Sequence, residues 1–489
     1  MSEPRWRIVQ ADLRTADMVQ LVGSGYHAVL CDPPYGLSPD GKARTWDDLD
    51  GAEGRGFMGK AWDAAVPGAT FWRNVRRCLR PGAHLLAFGG TRTYHRLVCG
   101  IEDAGLEVRD QLAWLYGSGF PKSHDVSKAI DAAAGAEREV VSSRKLTGTA
   151  RIRGQCAYGA TSGRSKEAYQ DGSEIRDTLF ITAPATPDAA RWNGYGTALK
   201  PAHEPIVLAR EPLDGTVAHN ALAHGCGGLA IDASRIAYAS EADRAAMSAG
   251  VEAIRAKGGQ WEHSWANTCD LSGANPAHEN GRWPANVLLD EAAAAMLDEQ
   301  SGESVSTPFR ANVASGGILP FSFRTAGGFS DSGGASRFFY TAKASRSERE
   351  AGCDELPPVV RRITDGHGRG EINTSKASDG GVRENRPTAN HHPTVKPIEL
   401  ATYLARMLLP PPGPEPRSIL VPFSGSGSEM IGAVLAGWDE VVGVEMSQEY
   451  IAIATARLKH WAKRTAPKKK TTKPQPRKTS MPVQMEMFG

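Results

Sequence analysis

An Asp-Pro-Pro-Tyr sequence at positions 32–35 directly follows the apolar run Tyr26–Cys31. The run predicts a strand, and ligands of open α/β sheets bind beyond the carboxyl ends of strands. Proline fixes the backbone φ, so the Asp32 carboxylate and the Pro33 carbonyl form two acceptors on a rigid turn. Two acceptors suit an amino group with two N–H donors, and Tyr35 adds a flat face for stacking on a base. An ordinary strand-ending turn is the alternative interpretation.

A glycine-rich segment occupies residues 423–428, between a predicted strand at 419–421 and a predicted helix at 429–436. Glycine allows the backbone to approach a ligand closely. Glu445 ends the next predicted strand, 20 residues after Gly425, and an acid at that offset accepts hydrogen bonds from ribose hydroxyls. A Gly-Lys-Ser/Thr sequence is absent, so the segment suits a nucleoside cofactor without a phosphate. A helix-capping turn followed by a surface acid is the alternative.

A third motif, His-Pro-Thr-Val-Lys-Pro at 392–397, opens a predicted helix. Pro397 suits the first helical turn, and apolar residues then recur at helical spacing. A helix N-terminus favours a carboxylate, which Thr394 or Lys396 could help to hold. Helix capping explains the threonine and the prolines equally well.

The elements that position these motifs divide into two α/β pieces, residues 1–130 and 392–462. In the first piece, segments 69–79 and 83–88 predict a helix and a buried strand. Such alternation favours a parallel sheet, and the two pieces together have the size of one doubly wound α/β domain. Residues 131–391, which are broken by Gly, Ser and Asn clusters, form a large irregular insertion with short apolar islands at 205–209 and 285–289.

The composition of the 489 residues is that of an ordinary globular protein, with 40% hydrophobic and 23% charged residues. The longest apolar runs are far too short to span a membrane, and the first residues lack a signal-peptide core. The seven cysteines form no Cys-x-x-Cys pair, so we expect neither a disulfide scaffold nor a metal site. A reducing cytoplasm fits these features.

The chain carries a basic tail at residues 463–489, with eight basic residues and one acid. Its net charge is +7, whereas the whole chain has +2, so the preceding residues sum to −5. A polar, basic segment of this kind is predicted to be disordered. It would attract nucleic acid through phosphates, or else serve only as a solubilising terminus.

Together, the three motifs resemble those of amino-group DNA methyltransferases that use S-adenosylmethionine. The DPPY element precedes a long variable region, and the 392–397 motif, the glycine segment and the acid at Glu445 follow it. This is the permuted, beta-type motif order, and the resemblance covers about residues 1–130 and 392–462. Five middle segments are also similar to phage and prophage members of this family: 59–63, 114–122, 199–205, 281–286 and 338–345.

The resemblance implies a circularly permuted, Rossmann-like methyltransferase sheet with an inserted target-recognition region at 131–391. Asp32 and Pro33 would hold the target amino group, Pro34 would stiffen the turn, and Tyr35 would stack on the extruded base. The implied cofactor residues are Asp12 at the adenine ring, Thr394 and Lys396 near the methionine end, Phe423, Ser424, Gly425 and Gly427 in the lining, and Glu445 at the ribose. No metal is implied.

The expected reaction is methyl transfer to adenine N6 in duplex DNA after base flipping, within a restriction-modification or phage setting. DPPY favours adenine, whereas SPPY is commoner for cytosine N4, which remains the alternative on the same scaffold. A cytosine-C5 mechanism is excluded because no Pro-Cys pair occurs. Methylation of a protein glutamine and a non-catalytic DNA-binding role are more distant alternatives.

The end of the tail, from Gln484 to Phe488, resembles the short peptide that binds the bacterial sliding clamp. Such peptides dock apolar anchors in a groove while a flexible tether remains free. A clamp partner would place the enzyme on newly replicated DNA. A frayed terminus is the alternative.

Overall fold

A nine-stranded sheet forms the centre of the molecule in the computed structural model. The structure describes residues 5–37, 42–49, 61–119, 123–145, 178–238, 240–241, 243–245, 248, 278–305, 332–342, 346–358 and 388–465. Within these residues the strands are β1 (Arg5–Gln10), β2 (Tyr26–Cys31), β3 (Leu79–Phe88), β4 (Glu107–Leu115), β5 (Val140–Lys145), β6 (Thr178–Thr182), β7 (His203–Arg210), β8 (Val287–Asp290), β9 (Ser304–Val305), β10 (Ser332–Gly333), β11 (Tyr340–Ala342), β12 (Ser418–Pro422) and β13 (Glu440–Glu445).

Helices of the described residues cover both faces of this sheet, and further helices lie outside it. They are α1 (Met18–Val22), α2 (Ala69–Arg76), α3 (Tyr94–Asp103), α4 (Val126–Ala133), α5 (Pro187–Arg191), α6 (Val217–His224), α7 (Glu291–Ser301), α8 (Arg346–Glu350), α9 (Ile398–Met407), α10 (Ser428–Ala436) and α11 (Gln448–Thr465). Among the described residues, every helix is too short or too polar to cross a bilayer.

The strand order is β1-β13-β12-β2-β3-β7-β4-β8-β11. Strand β7 is antiparallel to both of its neighbours, and the other pairs are parallel. The doubly wound, Rossmann-like α/β fold predicted from the sequence is therefore confirmed. Strands β5 and β6 form a separate antiparallel pair, as do the short strands β9 and β10.

Two hydrophobic cores, one on each face, explain why the central strands are mostly apolar. On β2, Ala28 and Leu30 pack into the core beneath α9 and α10, whereas Val29 and Cys31 pack into the core beneath α1, α2 and α3. Successive side chains of a strand point to opposite faces, so a strand covered on both sides is mostly apolar, and β2 has His27 as its one polar side chain. This is why Tyr26–Cys31 was recognisable as a strand.

The two α/β pieces join through neighbouring strands of the same sheet. Ile419 of β12 pairs with Ala28 of β2, and Gln10 of β1 pairs with Glu445 of β13. Strand β1 was not predicted, because it is an edge strand whose alternating polar residues are largely exposed. Parallel pairing brings the carboxyl ends of β1, β13, β12 and β2 to one edge, where the sequence motifs meet.

The middle region differs from the insertion expected between residues 131 and 391. The apolar islands at 205–209 and 285–289 lie in β7 and β8, which join the main sheet together with β11. Their pairing partners are distant in sequence, so local alternation did not reveal them. The tail segment from Gln484 to Phe488 lies outside the described residues, and its clamp-binding role stays a prediction.

Candidate active site

A cavity of about 1150 Å³ opens at the carboxyl edge of β1, β13, β12 and β2. Residues from all three sequence motifs line it. They are Asp12, Asp32, Pro33, Pro34, Tyr35, Thr394, Lys396, Phe423, Ser424, Gly425 and Glu445. Gly427 lies behind this lining, where a Cβ atom would come within 3.0 Å of Ala454 Cβ. The fold thus gathers into one cavity nearly all the residues that the sequence singled out.

Asp32 follows β2 and presents its two carboxylate oxygens to different surroundings. Lys396 Nζ donates a hydrogen bond of 2.7 Å to Oδ2. Oδ1 is buried and has no hydrogen-bond partner within the described residues. A buried acceptor without a partner is costly, so it marks a place that a ligand donor can fill.

Lys396 is the buried cation at the centre of this site. Its Nζ lies 3.2 Å from Glu204 Oε2 and 3.1 Å from the hydroxyl of Tyr35. Burial opposes the charged ammonium, but the carboxylates of Asp32 and Glu204 outweigh it and raise the pKa of Lys396. The resemblance placed Lys396 near the methionine end of a cofactor, whereas its ammonium group contacts Asp32 and Tyr35 in the turn after β2.

The turn that carries Asp32 and Tyr35 is held by side chains from neighbouring segments. Asp63 Oδ1 accepts the backbone N–H groups of Tyr35, at 2.8 Å, and of Gly36, at 3.1 Å. Thr93 donates its hydroxyl to the Tyr35 carbonyl at 2.5 Å. The Tyr35 hydroxyl in turn donates to Glu204 Oε2 at 3.0 Å. The ring of Tyr35 is therefore fixed in direction before any ligand arrives.

The glycine segment between β12 and α10 is tied to Glu445 at the end of β13. Glu445 accepts the backbone N–H of Gly425 through Oε2 and that of Ser447 through Oε1, both at 2.9 Å. Burial raises the pKa of Glu445, although these N–H donors oppose the shift. Phe423 has a φ of 60°, a left-handed conformation that is unusual for a bulky residue. Such local strain is concentrated at functional sites.

Asp12 lies beside Glu445 because β1 and β13 run in parallel. The backbone N–H of Ala11 donates to the Glu445 carbonyl at 3.1 Å. The carboxylate of Asp12 forms an ion pair of 2.6 Å with Arg14, whose hydrogen bond lowers the pKa of Asp12. The two acids predicted for opposite ends of a nucleoside thus line neighbouring parts of the cavity.

A protein-family model described as DNA methylase matches residues 26–456. This match extends from the first residue of β2 into α11, and it includes the turn at 32–35, the glycine segment and Glu445. The chain belongs to the N6/N4 DNA methylase family. Members of this family take their methyl group from S-adenosylmethionine, which is therefore the cofactor of this methylase.

Comparison with solved structures finds DNA methyltransferases at low identity. M1.HpyAVI in its complex with SAM is 10% identical, with 93% of this chain and 100% of that chain covered and a TM-score of 0.30. The cytosine-N4-specific PvuII DNA methyltransferase is 10% identical, with 94% of each chain covered and a TM-score of 0.34. Likeness at this level does not bear on function, and the family assignment rests on the family model. No curated protein matches the sequence.

Two acids of this methylase were missed by reasoning from the sequence. Glu204 is the second residue of β7, in the segment 199–205, which was noted only for its family resemblance. Its interest comes from its contacts with Lys396 and Tyr35. Glu429 is 4% exposed in the first turn of α10 and lines the cavity. An acid in the first helical turn usually interacts favourably with the helix dipole. Only burial beside Asp32 distinguishes Glu429 from such an ordinary acid.

Glu429 gives the methylase a pH-dependent stability. Burial, together with the neighbouring Asp32 carboxylate, raises the pKa of Glu429 to about 7. The folded state favours the neutral acid. The contribution of Glu429 to the free energy of unfolding is therefore complete below pH 4.5 and is lost as the pH rises to about 7. At 1.36 kcal/mol per pKa unit, the whole effect is on the order of 3 kcal/mol.

We therefore expect Glu429→Gln to flatten the fall in stability between pH 4.5 and 7. Urea unfolding at several pH values measures the free energy of unfolding for both proteins. Glu102→Gln, at an exposed acid of α3, is the matched control and should keep the wild-type profile. Identical profiles for wild type and Glu429→Gln would contradict the raised pKa.

Gly425 lies under the ring of His392, which closes one wall of the cavity. Its φ is +49°, and a Cβ atom would come within 2.8 Å of His392 Nε2. The ring of His392 stacks edge-on against Tyr450, with centroids 4.5 Å apart, so it has little room to move. Burial lowers the pKa of His392 to about 4, so the ring is neutral at pH 7.

Gly425→Ala is expected to weaken S-adenosylmethionine binding by about tenfold, because the added Cβ would clash with the ring of His392, and either the ring or the backbone would have to shift within the cavity wall. Calorimetric titration with the cofactor measures this affinity. Gly437→Ala is the matched control, because Gly437 also has a positive φ of 100° but lies at the C-terminus of α10 with no atom nearer than 4.0 Å to its Cβ position. Equal affinities for the two variants would refute a role for the Gly425 backbone in the cofactor site.

Proposed function

We propose that this methylase transfers a methyl group to adenine N6 at a specific sequence in duplex DNA, with the target base flipped into the cavity. The observation that carries the proposal is the buried Asp32 Oδ1, an acceptor without a partner in the described residues. It lies next to Tyr35, whose ring is fixed by Glu204. An acceptor of one N–H and a stacking face are what an exocyclic amine on a base requires.

The chemistry follows from the target nitrogen. The lone pair of an exocyclic amine is delocalised into the ring, so the nitrogen is a poor nucleophile. Asp32 Oδ1 and the Pro33 carbonyl would accept its two N–H groups and favour a pyramidal nitrogen, which frees the lone pair for in-line attack on a methyl carbon. Acceptors fixed in advance lower the barrier without reorganisation. When bound, S-adenosylmethionine supplies that methyl group on a sulfonium leaving group.

Each site residue has an assigned part in this reaction. Lys396 holds Asp32 Oδ2, so that Oδ1 is directed to the amine and can hold the proton that the nitrogen loses. Glu445 would bind the cofactor ribose and Asp12 its adenine, with Phe423, Ser424 and Gly425 along the ring system. Thr394 would lie near the methionine end.

Adenine is favoured over cytosine by the DPPY sequence at 32–35. Cytosine N4 remains the second candidate, because the same two acceptors fit its exocyclic amine equally well. The family model includes both reactions, and the choice between them depends on the shape of the base pocket.

Transfer of labelled methyl from S-adenosylmethionine to mixed-sequence unmethylated duplex DNA, followed by nucleoside analysis, tests the proposal. We expect the label in N6-methyladenine. Label in N4-methylcytosine would agree with the mechanism but would show that the target base is cytosine. Absence of label from every nucleoside, with cofactor still bound, would overturn the proposal in favour of a binding role or a non-DNA substrate.

Two further assignments belong to this proposal. Basic side chains of the 131–391 region would hold phosphates and read base edges, although three of its strands also build the main sheet. The segment from Gln484 to Phe488 would bind a sliding clamp. Recovery of the clamp with the full chain, and its loss when the last six residues are removed, is the expected pull-down result.

A further inference from the structure

A single leucine projects into solvent at the mouth of the cavity. Leu199 is 92% exposed and yet belongs to the cavity lining. Among the described residues, only Leu222 on α6 is comparably exposed, at 91%, and it lies away from the cavity. Exposed apolar side chains are common when scattered, but one held at the entrance of a substrate cavity calls for a reason.

The segment that carries Leu199 is anchored on both sides. Before it, the backbone N–H groups of Thr197 and Ala198 donate to the Ser123 hydroxyl at 2.9 and 3.3 Å. After it, Lys200 Nζ donates to the Gly117 carbonyl at 2.8 Å. The Tyr116 backbone N–H donates to the Ala202 carbonyl at 2.9 Å. These contacts hold the segment in place while the leucine side chain stays in water.

The same segment leads into β7, whose Glu204 contacts the turn that carries Asp32 and Tyr35. Glu204, five residues after Leu199, accepts the hydroxyl of Tyr35 and pairs with Lys396. Five residues of extended chain span at most about 18 Å, so Leu199 lies within that distance of Glu204. Leu199, Glu204 and Asp32 line the same cavity, and the leucine is therefore close to the position assigned to the flipped base.

We propose that Leu199 is a wedge that enters the base stack of duplex DNA at the place vacated by the flipped base. The inference rests on the proposed function, because it assumes a paired target. Extruding a base leaves an apolar gap between the flanking base pairs, and apolar side chains are known to insert between base steps. Arg92 is exposed in the same lining, where its charge suits the neighbouring phosphates.

The wedge lowers the cost of flipping and has no part in the transfer of the methyl group. Removing it should therefore slow the reaction only when the target base is paired and stacked. A target opposite an abasic site is already unpaired, so most of this cost is absent. The two substrates separate a wedge from a residue that merely supports the cavity.

The test uses the full chain and the sequence at which the wild type methylates mixed-sequence DNA, mapped by sequencing. Single-turnover rates at saturating DNA and S-adenosylmethionine are measured on a paired duplex and on a duplex with the target opposite an abasic site. We expect Leu199→Ala to be slower by about tenfold or more on the paired duplex and within about threefold of wild type on the abasic duplex. Leu199→Met should stay close to wild type on both, as should the matched control Leu222→Ala.

Three results would overturn the proposal. Leu199→Ala with wild-type rates on both duplexes would show that the side chain is not needed for flipping. An equal loss on both duplexes would assign Leu199 a structural or general binding role. A wild type that labels no DNA, although it binds the cofactor, would instead remove the proposed function on which the wedge depends.

Discussion

Replacing Asp32 by alanine is expected to lower methyl transfer by at least about 100-fold, the loss typical of removing one preorganised hydrogen-bond partner of a reacting group. The physical reason is that the two carboxylate oxygens of Asp32 have different surroundings. Oδ2 is neutralised by Lys396, whereas Oδ1 is buried with no hydrogen-bond partner in the part of the chain that the structure describes, and Asp32 lines the cavity. The substitution removes the only acidic acceptor that the catalytic turn offers to the amine.

The measurement is the single-turnover rate of label transfer at saturating cofactor, together with the cofactor affinity of the same variant. Affinity should stay within about threefold of wild type, because Asp32 is assigned to the base and not to the cofactor. Asp103→Ala, at an exposed acid of α3, is the matched control and should retain full activity. Full activity in Asp32→Ala would contradict the proposed mechanism.

Replacing Lys396 by methionine is expected to lower the free energy of unfolding by about 3–5 kcal/mol, as when one partner of a buried ion pair is removed. Lys396 is 6% exposed, and its ammonium lies 2.7 Å from Asp32 Oδ2 and 3.2 Å from Glu204 Oε2. Without it, two carboxylates would face each other with no counter-charge. Methyl transfer should fall as well, because Oδ1 would no longer be directed to the amine.

The pH dependence of this loss follows from the pKa of Lys396. The pKa of Lys396 is raised in the folded protein. The contribution of the ammonium to the free energy of unfolding is therefore complete below the ordinary lysine pKa near 10.5, and it is constant from pH 5 to 9. The deficit of the variant should therefore be the same at pH 6 and at pH 8.

Urea unfolding of wild type and Lys396→Met at these two pH values measures the effect. Lys128→Met is the matched control, since Lys128 pairs with Asp125 at 3.8 Å on the surface of α4. Surface pairs of this kind contribute about 0–1 kcal/mol. A loss in Lys396→Met no greater than in Lys128→Met would show that the ammonium does not hold the two acids together.

The three strands that carry the site motifs could be predicted because their signals are local. Strands β2, β12 and β13 are mostly apolar and almost fully buried, and each is followed at once by a polar or glycine-rich turn. In a parallel sheet, such turns meet at one edge. The motif residues in these turns follow from that rule, and all but Gly427 line the same cavity.

Other elements had no local signal. Strand β1 alternates polar residues because it is an edge strand, and β7 was visible only as an apolar island at 205–209. Its antiparallel place between β3 and β4 is set by packing with partners that lie about 100 residues away in the chain. Composition suggested an irregular insertion where three strands complete the sheet.

The sequence by itself determined which residue types stand at the ends of the strands: an acid and two prolines after β2, glycines after β12, and an acid at the end of β13. The tertiary structure decided how those residues are used. Lys396 meets Asp32 across 364 positions of the chain, and Glu204 reaches both Lys396 and Tyr35 from β7. Strand order and parallel register set these contacts, and neither is encoded in the periodicity of any one segment. Periodicity depends on near neighbours, whereas a buried ion pair depends on which distant strands lie side by side.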